Sequence, residues 1–159
     1  MLFSMTPKAF QKLIDKNHLT AEALAIYFSV DRPSIENWTT GKALIPPSVA
    51  DSLKTLNELI EGALSRALSV VFANKFLKVP ILRYENEQDF FEFDDDAELF
   101  RTVKVHQGLV KRVVETLKLS GITAYAVAFN KSRYLSWTKA ERLGVDRSTR
   151  AAWSGLQKD

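Results

Sequence analysis

The sequence predicts a mainly α-helical protein with a small α+β part toward its C-terminus. Three observations lead there. Apolar residues recur at helical spacing through the first 73 positions, each run preceded by a helix-start residue. From Val49 to Ala67 the apolar positions step by 4, 3, 4, 3 and 4, the mark of one long helix. Two later runs, Lys78 to Tyr84 and Thr123 to Phe129, carry the β-branched and aromatic residues of strands. Apolar residues make up 46% of the chain and aromatic ones 11%, which places it among globular proteins and not disordered ones.

In chain order, Thr6-Pro7 opens a first helix with Ala9, Phe10, Leu13 and Ile14 on its apolar face. Thr20 caps a second helix over 21–28, with Ala23, Leu24, Tyr27 and Phe28 as its stripe. Ser29-Val30 then gives a tight connection to a third helix. Asp31 is its cap, Pro33 fits its first turn and Gly41 stops it. Ile35 and Trp38, three apart, share the inward face, which leaves Arg32, Ser34, Glu36 and Asn37 on the other side. Pro46-Pro47-Ser48 starts the long helix, which runs to about Ala73 and outlasts a compact N-terminal bundle. Its apolar stripe needs cover from a second copy or from the rest of the chain. Gly62 within it costs roughly 1 kcal/mol relative to Ala and would allow a close crossing.

After Asn74 the pattern changes. Residues 78–84 form an edge-type strand because of Pro80. Residues 85–93, with Phe90, Phe91 and Phe93, suit a short helix. Asp94-Asp95-Asp96 then leads into a second long helix over 97–119, with Leu99, Phe100, Val103, Val110, Val113, Val114 and Leu117 expected inside. Ser120-Gly121 ends it, and residues 123–129 form the best strand in the protein. Two short helices follow, around 131–143 and 147–156, split at Gly144. The expected division is therefore 1–73 for a helical unit with its connecting helix, and 74–159 for an α+β unit with a small sheet.

Composition excludes several classes. There is no Cys, so neither disulfides nor thiolate metal sites are available; this suits a reducing cytoplasm. No apolar stretch approaches a membrane span, and the N-terminus has no apolar leader core. Catalysis has little support. His18 and His106 are far apart, each expected as a plain surface residue, and no phosphate loop or nucleophile elbow is present. The cluster of Asp94, Asp95, Asp96 and Glu98 lacks the ordered pattern of a calcium loop and suits a solvated turn better than an ion site. No catalytic residue, metal or cofactor is expected.

Charge is unevenly spread. Residues 1–73 hold seven basic and seven acidic side chains, residues 85–98 hold eight acids and no base, and residues 101–150 hold eleven bases against three acids. The acids and bases of the second half can complement each other within one subunit or across a twofold axis.

The second and third helices have the order and spacing of a helix-turn-helix. A short helix with two apolar anchors and a polar outer face is what base reading in the major groove requires. The candidate DNA-contacting residues are Thr20, Arg32, Pro33, Ser34, Glu36, Asn37, Thr39, Thr40 and Lys42, with Lys8 and Lys12 as further phosphate contacts. Arg32 is placed for a guanine edge and Asn37 for adenine; Glu36 either accepts from a cytosine amine or orients Arg32. The segment Val145-Asp146-Arg147-Ser148-Thr149 with Trp153 echoes Val30-Asp31-Arg32-Pro33-Ser34 with Trp38. It is either a second nucleic-acid contact, with Thr138 and Glu141 capping the helix before it, or a chance recurrence of a capped and anchored helix.

Residues Ile35-Glu36-Asn37-Trp38-Thr39-Thr40-Gly41-Lys42-Ala43-Leu44-Ile45-Pro46 resemble the Trp, Gly-Lys and Ile-Pro pattern of the Xre/λ-repressor-like helix-turn-helix regulators. Within these the chain looks most like the small enterobacterial helix-turn-helix proteins and the anti-CRISPR-associated autoregulators. The run Val127-Ala128-Phe129, then Tyr134, Trp137, Arg150 and Trp153, carries the resemblance into the C-terminal half; Thr39 stands where the pattern usually has Glu. The resemblance implies a λ-repressor-like bundle joined by a long helix to a dimerisation domain. It further implies a homodimeric repressor of its own or a neighbouring operon, bound to an inverted repeat in double-stranded DNA. The competing expectations are a protein-interaction module of antitoxin type, whose helical core no longer reads DNA, and, more remotely, a metal-dependent nuclease built on the acidic cluster.

Overall fold

The computed structural model describes residues 5–157. The N-terminal helices are α1 (Pro7–Lys16), α2 (Ala21–Phe28), α3 (Arg32–Thr40) and the long α4 (Pro47–Ala73). The second half contains β1 (Lys78–Arg83), α5 (Glu87–Phe93), α6 (Ala97–Phe100), α7 (Val103–Leu119), β2 (Thr123–Ala128), α8 (Lys131–Ala140) and α9 (Arg147–Gly155). Local chemistry sets most helix starts. The side chains of Thr6, Thr20 and Asp31 accept from the backbone N–H groups of Ala9, Ala23 and Ser34, and Asn86, Asn130 and Asp146 do the same for α5, α8 and α9.

The two strands pair in parallel, Lys78 opposite Thr123 through Arg83 opposite Ala128. Parallel pairing demands a long crossover, which α5, α6 and α7 supply. The chain is thus mainly helical with one small two-stranded parallel sheet in its C-terminal part.

The second long helix expected over 97–119 is broken. It ends as α6 at Phe100, Arg101 turns the backbone into the left-handed region (φ 65°), and the Thr102 hydroxyl caps α7 by accepting from Lys104 N–H at 3.2 Å. Tertiary contacts hold the break. The Arg101 guanidinium donates to the Tyr27 carbonyl at 2.9 Å and lies 4.4 Å from the centre of the Tyr27 ring. The Glu87 carboxylate accepts from the Thr102 hydroxyl and from Val103 N–H. The kink turns Leu99, expected inside, out to solvent at 52% exposure. Thr138, expected to cap the helix before α9, instead lies buried within α8, its hydroxyl donating to the Leu135 carbonyl.

The stripe of α4 is covered by the chain itself. Leu64 and Val71 pack with Val113 and Leu117 of α7, with Val79 of β1 and with Ile122 and Ala124 around β2. A single buried cluster joins Phe10, Trp38 and Ile60 to Tyr84, Phe129 and Trp153, so the core runs across residue 73. Acids and bases of the second half also pair within one chain: Glu92 with Lys131, Asp95 with Arg147 and Arg150, and Asp96 with Arg147.

At Gly108, α7 comes against the turn after α1. A Cβ there would lie 2.7 Å from the Asn17 carbonyl oxygen and 2.9 Å from that of His18. Asn17 is wholly buried: its amide donates to the Leu13 carbonyl and to Asn57 Oδ1, both at 3.0 Å, and its oxygen accepts from Arg112 at 2.8 Å. Arg112 continues to Glu61 at 2.7 Å, and Glu61 also meets Lys16 at 2.6 Å. Hydrogen bonds from Lys16 and Arg112 hold the Glu61 carboxyl below its ordinary range. Neither histidine is the plain surface residue expected. His18 bonds Glu115 of α7 at 2.7 Å, and His106 is 7% exposed with Nε2 accepting from Tyr84 N–H at 3.1 Å.

The close crossing therefore belongs to Gly108 and not to Gly62, whose added Cβ would meet only the mobile end of Arg66. Gly62→Ala is expected to stabilise the protein by up to about 1 kcal/mol through helix propensity. Gly108→Ala, despite the same propensity gain, should destabilise it by about 1–3 kcal/mol because its methyl collides with backbone. Urea titration of the two variants checks the opposite signs.

Burial, and secondarily the Arg83 charge, lowers the His106 pKa from 6.5 to about 4. The unfolded chain takes up a proton below pH 6.5, whereas the folded imidazole stays neutral down to about 4. Stability should accordingly fall by about 3 kcal/mol as pH drops between these values, then level off. Chemical denaturation of wild type and of His106→Gln across that window tests it; the variant should lose this part of the slope.

Candidate nucleic-acid interface

α2 ends at Ser29, whose left-handed backbone (φ 56°) reverses the chain, and Asp31 starts α3 two residues later. The Asp31 carboxylate accepts from both the hydroxyl and the backbone N–H of Ser34, which holds its pKa below the usual value. Gly41 (φ 78°) ends the helix in the conformation glycine adopts most readily.

Two side chains anchor α3. Ile35 is 2% exposed, and Trp38, 7% exposed, meets Phe10 and Phe28 edge to face at 6.3 and 6.4 Å. With that face fixed, Arg32, Glu36 and Thr40 fall on one exposed row, and Pro33 and Asn37 on the row beside it. Lys42 follows in the exposed loop beyond Gly41. The structure places Gly41 against α1, with Pro7 Cγ 3.5 Å from an added Cβ. Lys8 and Lys12 border a groove on α1 together with Gln11, Asp15 and Thr39. Gln11 was not among the expected residues; only the packing of α1 on α3 brings it there. Thr20 is exposed, and its oxygen accepts from Ala23 N–H, which leaves its own proton to donate outward.

Not every expected residue is equally available. The Ser34 hydroxyl donates to Asp31, and those of Thr39 and Thr40 donate to the Glu36 carbonyl at 3.0 and 2.8 Å. Their protons are used inside the helix and its cap, so outward they present acceptors. The donors on this surface are Arg32, Asn37, Thr20 and the lysines.

The echo around α9 differs in this respect. Asp146 caps it and Trp153 is buried, as in α3, but Arg147 and Arg150 turn to Asp95 and Asp96 of the same chain. Those contacts also occupy two carboxylates of the acidic cluster. Among the described residues no group of three or more His, Cys, Asp or Glu side chains is arranged to hold a metal ion. No helix among them is long and apolar enough to cross a membrane.

No family model matches the sequence, and a search of curated proteins returns no match.

Trp38→Ala should lower stability by about 3–5 kcal/mol, because it removes the anchor between α1 and α2 and leaves a cavity. Thermal and urea unfolding of the variant measure this. A loss below about 1 kcal/mol would show that α3 is held by something else.

Proposed function

We propose that this protein is a sequence-specific, double-stranded DNA-binding transcriptional regulator of the Xre/λ-repressor-like kind, acting in the cytoplasm as a homodimeric repressor on an inverted repeat. One observation carries the proposal. α3 is pinned by Ile35 and Trp38 and presents Arg32, Glu36, Asn37 and Thr40 together on an exposed face. A helix of this size fits the major groove, and these side chains have the donors and acceptors that base edges answer.

In this assignment Arg32, at the exposed start of α3, takes the O6 and N7 atoms of a guanine. Asn37 pairs in bidentate fashion with an adenine. Lys42, Lys8 and Lys12 meet phosphates on either side, and Thr20 donates to a phosphate at the start of α2. The N-terminal 73 residues are balanced in charge, seven basic against seven acidic, so nonspecific attraction is weak and specificity rests on the base contacts. A weakly attracted single helix needs a second copy, which supports two half-sites about one helical turn apart. Because α4 buries its stripe against α7, the twofold contact falls outside that stripe.

Selection from a random DNA pool with the full-length protein is the test. An inverted repeat should emerge, with half-site centres about 10 base pairs apart. Arg32→Ala should then bind more weakly by about 1–3 kcal/mol and lose preference at one position in each half-site. Failure to enrich any sequence would favour the protein-interaction role instead. An unchanged preference profile in the variant would remove Arg32 from the reading surface.

A further inference from the structure

Two polar side chains of the second half are buried with a donor left unpartnered, and a third, buried beside them, has a single long contact. The imidazole of His106 is 7% exposed, and its Nε2 accepts from Tyr84 N–H. A neutral imidazole that accepts at one nitrogen carries its proton on the other, so Nδ1–H is a donor. No described residue accepts from it. The Tyr84 side chain is 2% exposed and its hydroxyl has no partner among the described residues. The Arg150 side chain is 8% exposed, and its one contact is Nη2 to Asp95 at a long 3.4 Å.

Among the described residues no fully enclosed side-chain nitrogen or oxygen lacks a partner, so these donors open into the space they border. All three line one cavity of about 230 Å³ between β1, the 94–96 loop, α7 and α9. Ile81, Leu82, His106, Asp94 and Arg147 border both this cavity and a groove of about 490 Å³, whose far walls are the apolar Ala63, Ala67 and Val113 with Arg66 beside them. Donors lining one end and a largely apolar groove at the other form the pattern of a small-molecule site. Acids are present as well. Asp95 is paired with Arg147 and, at 3.4 Å, with Arg150, and Asp96 with Arg147, while Asp94 accepts from Asp96 N–H, and burial raises its pKa.

We propose that this cavity binds a small apolar carboxylate, its two oxygens held by the Tyr84 hydroxyl, His106 Nδ1–H and the Arg150 guanidinium, its apolar body lying along the groove between α4 and α7. Charge-assisted bonds from such donors are the strong ones, and a guanidinium suits a carboxylate in particular. The site is independent of the DNA-binding proposal and stands or falls without it.

Calorimetric titration of the full-length protein with acetate, hexanoate, octanoate and 3-phenylpropionate tests the assignment, with 3-phenylpropanamide as the uncharged counterpart. At least one of the longer acids should bind saturably with a dissociation constant near or below about 1 mM. Acetate and the amide should each bind at least about tenfold more weakly than that acid. Tyr84→Phe keeps the ring contacts with Phe90 and Phe129 and removes only the hydroxyl; it should fold normally and weaken the acid about tenfold. Circular dichroism confirms that the variant is folded, and the chemical shift of the His106 ring nitrogens in wild type reports where the acid sits. The assignment is overturned if no acid binds saturably, if the amide binds as tightly as its acid, or if folded Tyr84→Phe binds unchanged.

Discussion

The junction of α7 with the turn after α1 is the contact on which the arrangement of this molecule depends. At Gly108 two backbone segments approach more closely than any side chain permits, and Asn17 sits beneath with every amide group engaged. Arg112 links that amide to Glu61 of α4, and Glu61 reaches back to Lys16 of α1. Three helices are thereby tied through one buried asparagine. Each bond alone is worth only about 0.5–1.5 kcal/mol, but an unpaired buried amide costs more than a made bond gains. The network consequently specifies one seating of α7 and disfavours its neighbours.

A second tie lies on the other side of the N-terminal helices. Arg101 reaches the end of α2 through a carbonyl and an aromatic ring, and its left-handed backbone is what separates α6 from α7. A non-glycine residue in that conformation is strained, and the two contacts to Tyr27 offset the strain. The helix that carries the proposed DNA-facing surface is therefore braced from α1, α2 and, through α2, from the C-terminal half. A rigid scaffold behind an exposed helix is also what directional hydrogen bonding to base edges needs, since each contact tolerates little misplacement.

The helix starts were legible in the sequence because they are local. Thr6, Thr20, Asp31 and Asp146 each act on a backbone group three residues away, so spacing alone reveals them. The exposed rows of α3 were legible for the same reason, from the period set by Ile35 and Trp38. What sequence could not show was decided at a distance. The break at Arg101 answers to Tyr27, the burial of His106 to the backbone of Tyr84, and the cover over α4 to α7. In the candidate interface the residue types were legible but not their availability. Whether Ser34, Thr39 and Thr40 donate inward or outward is a matter of side-chain rotation within the helix.

The buried Asn17 also bears on how the chain reaches this state. Its partner Arg112 lies 95 residues later, and the two strands cannot meet until the whole crossover between them exists. Contacts of such long range slow folding relative to local helix formation. During synthesis the N-terminal helices emerge first, yet the turn that Asn17 organises stays open to water until α7 has left the ribosome. Final seating of the proposed DNA-facing end is thus completed only with the far end of the polypeptide, even though α3 finds its own anchors, Phe10 and Phe28, among the helices that emerge first.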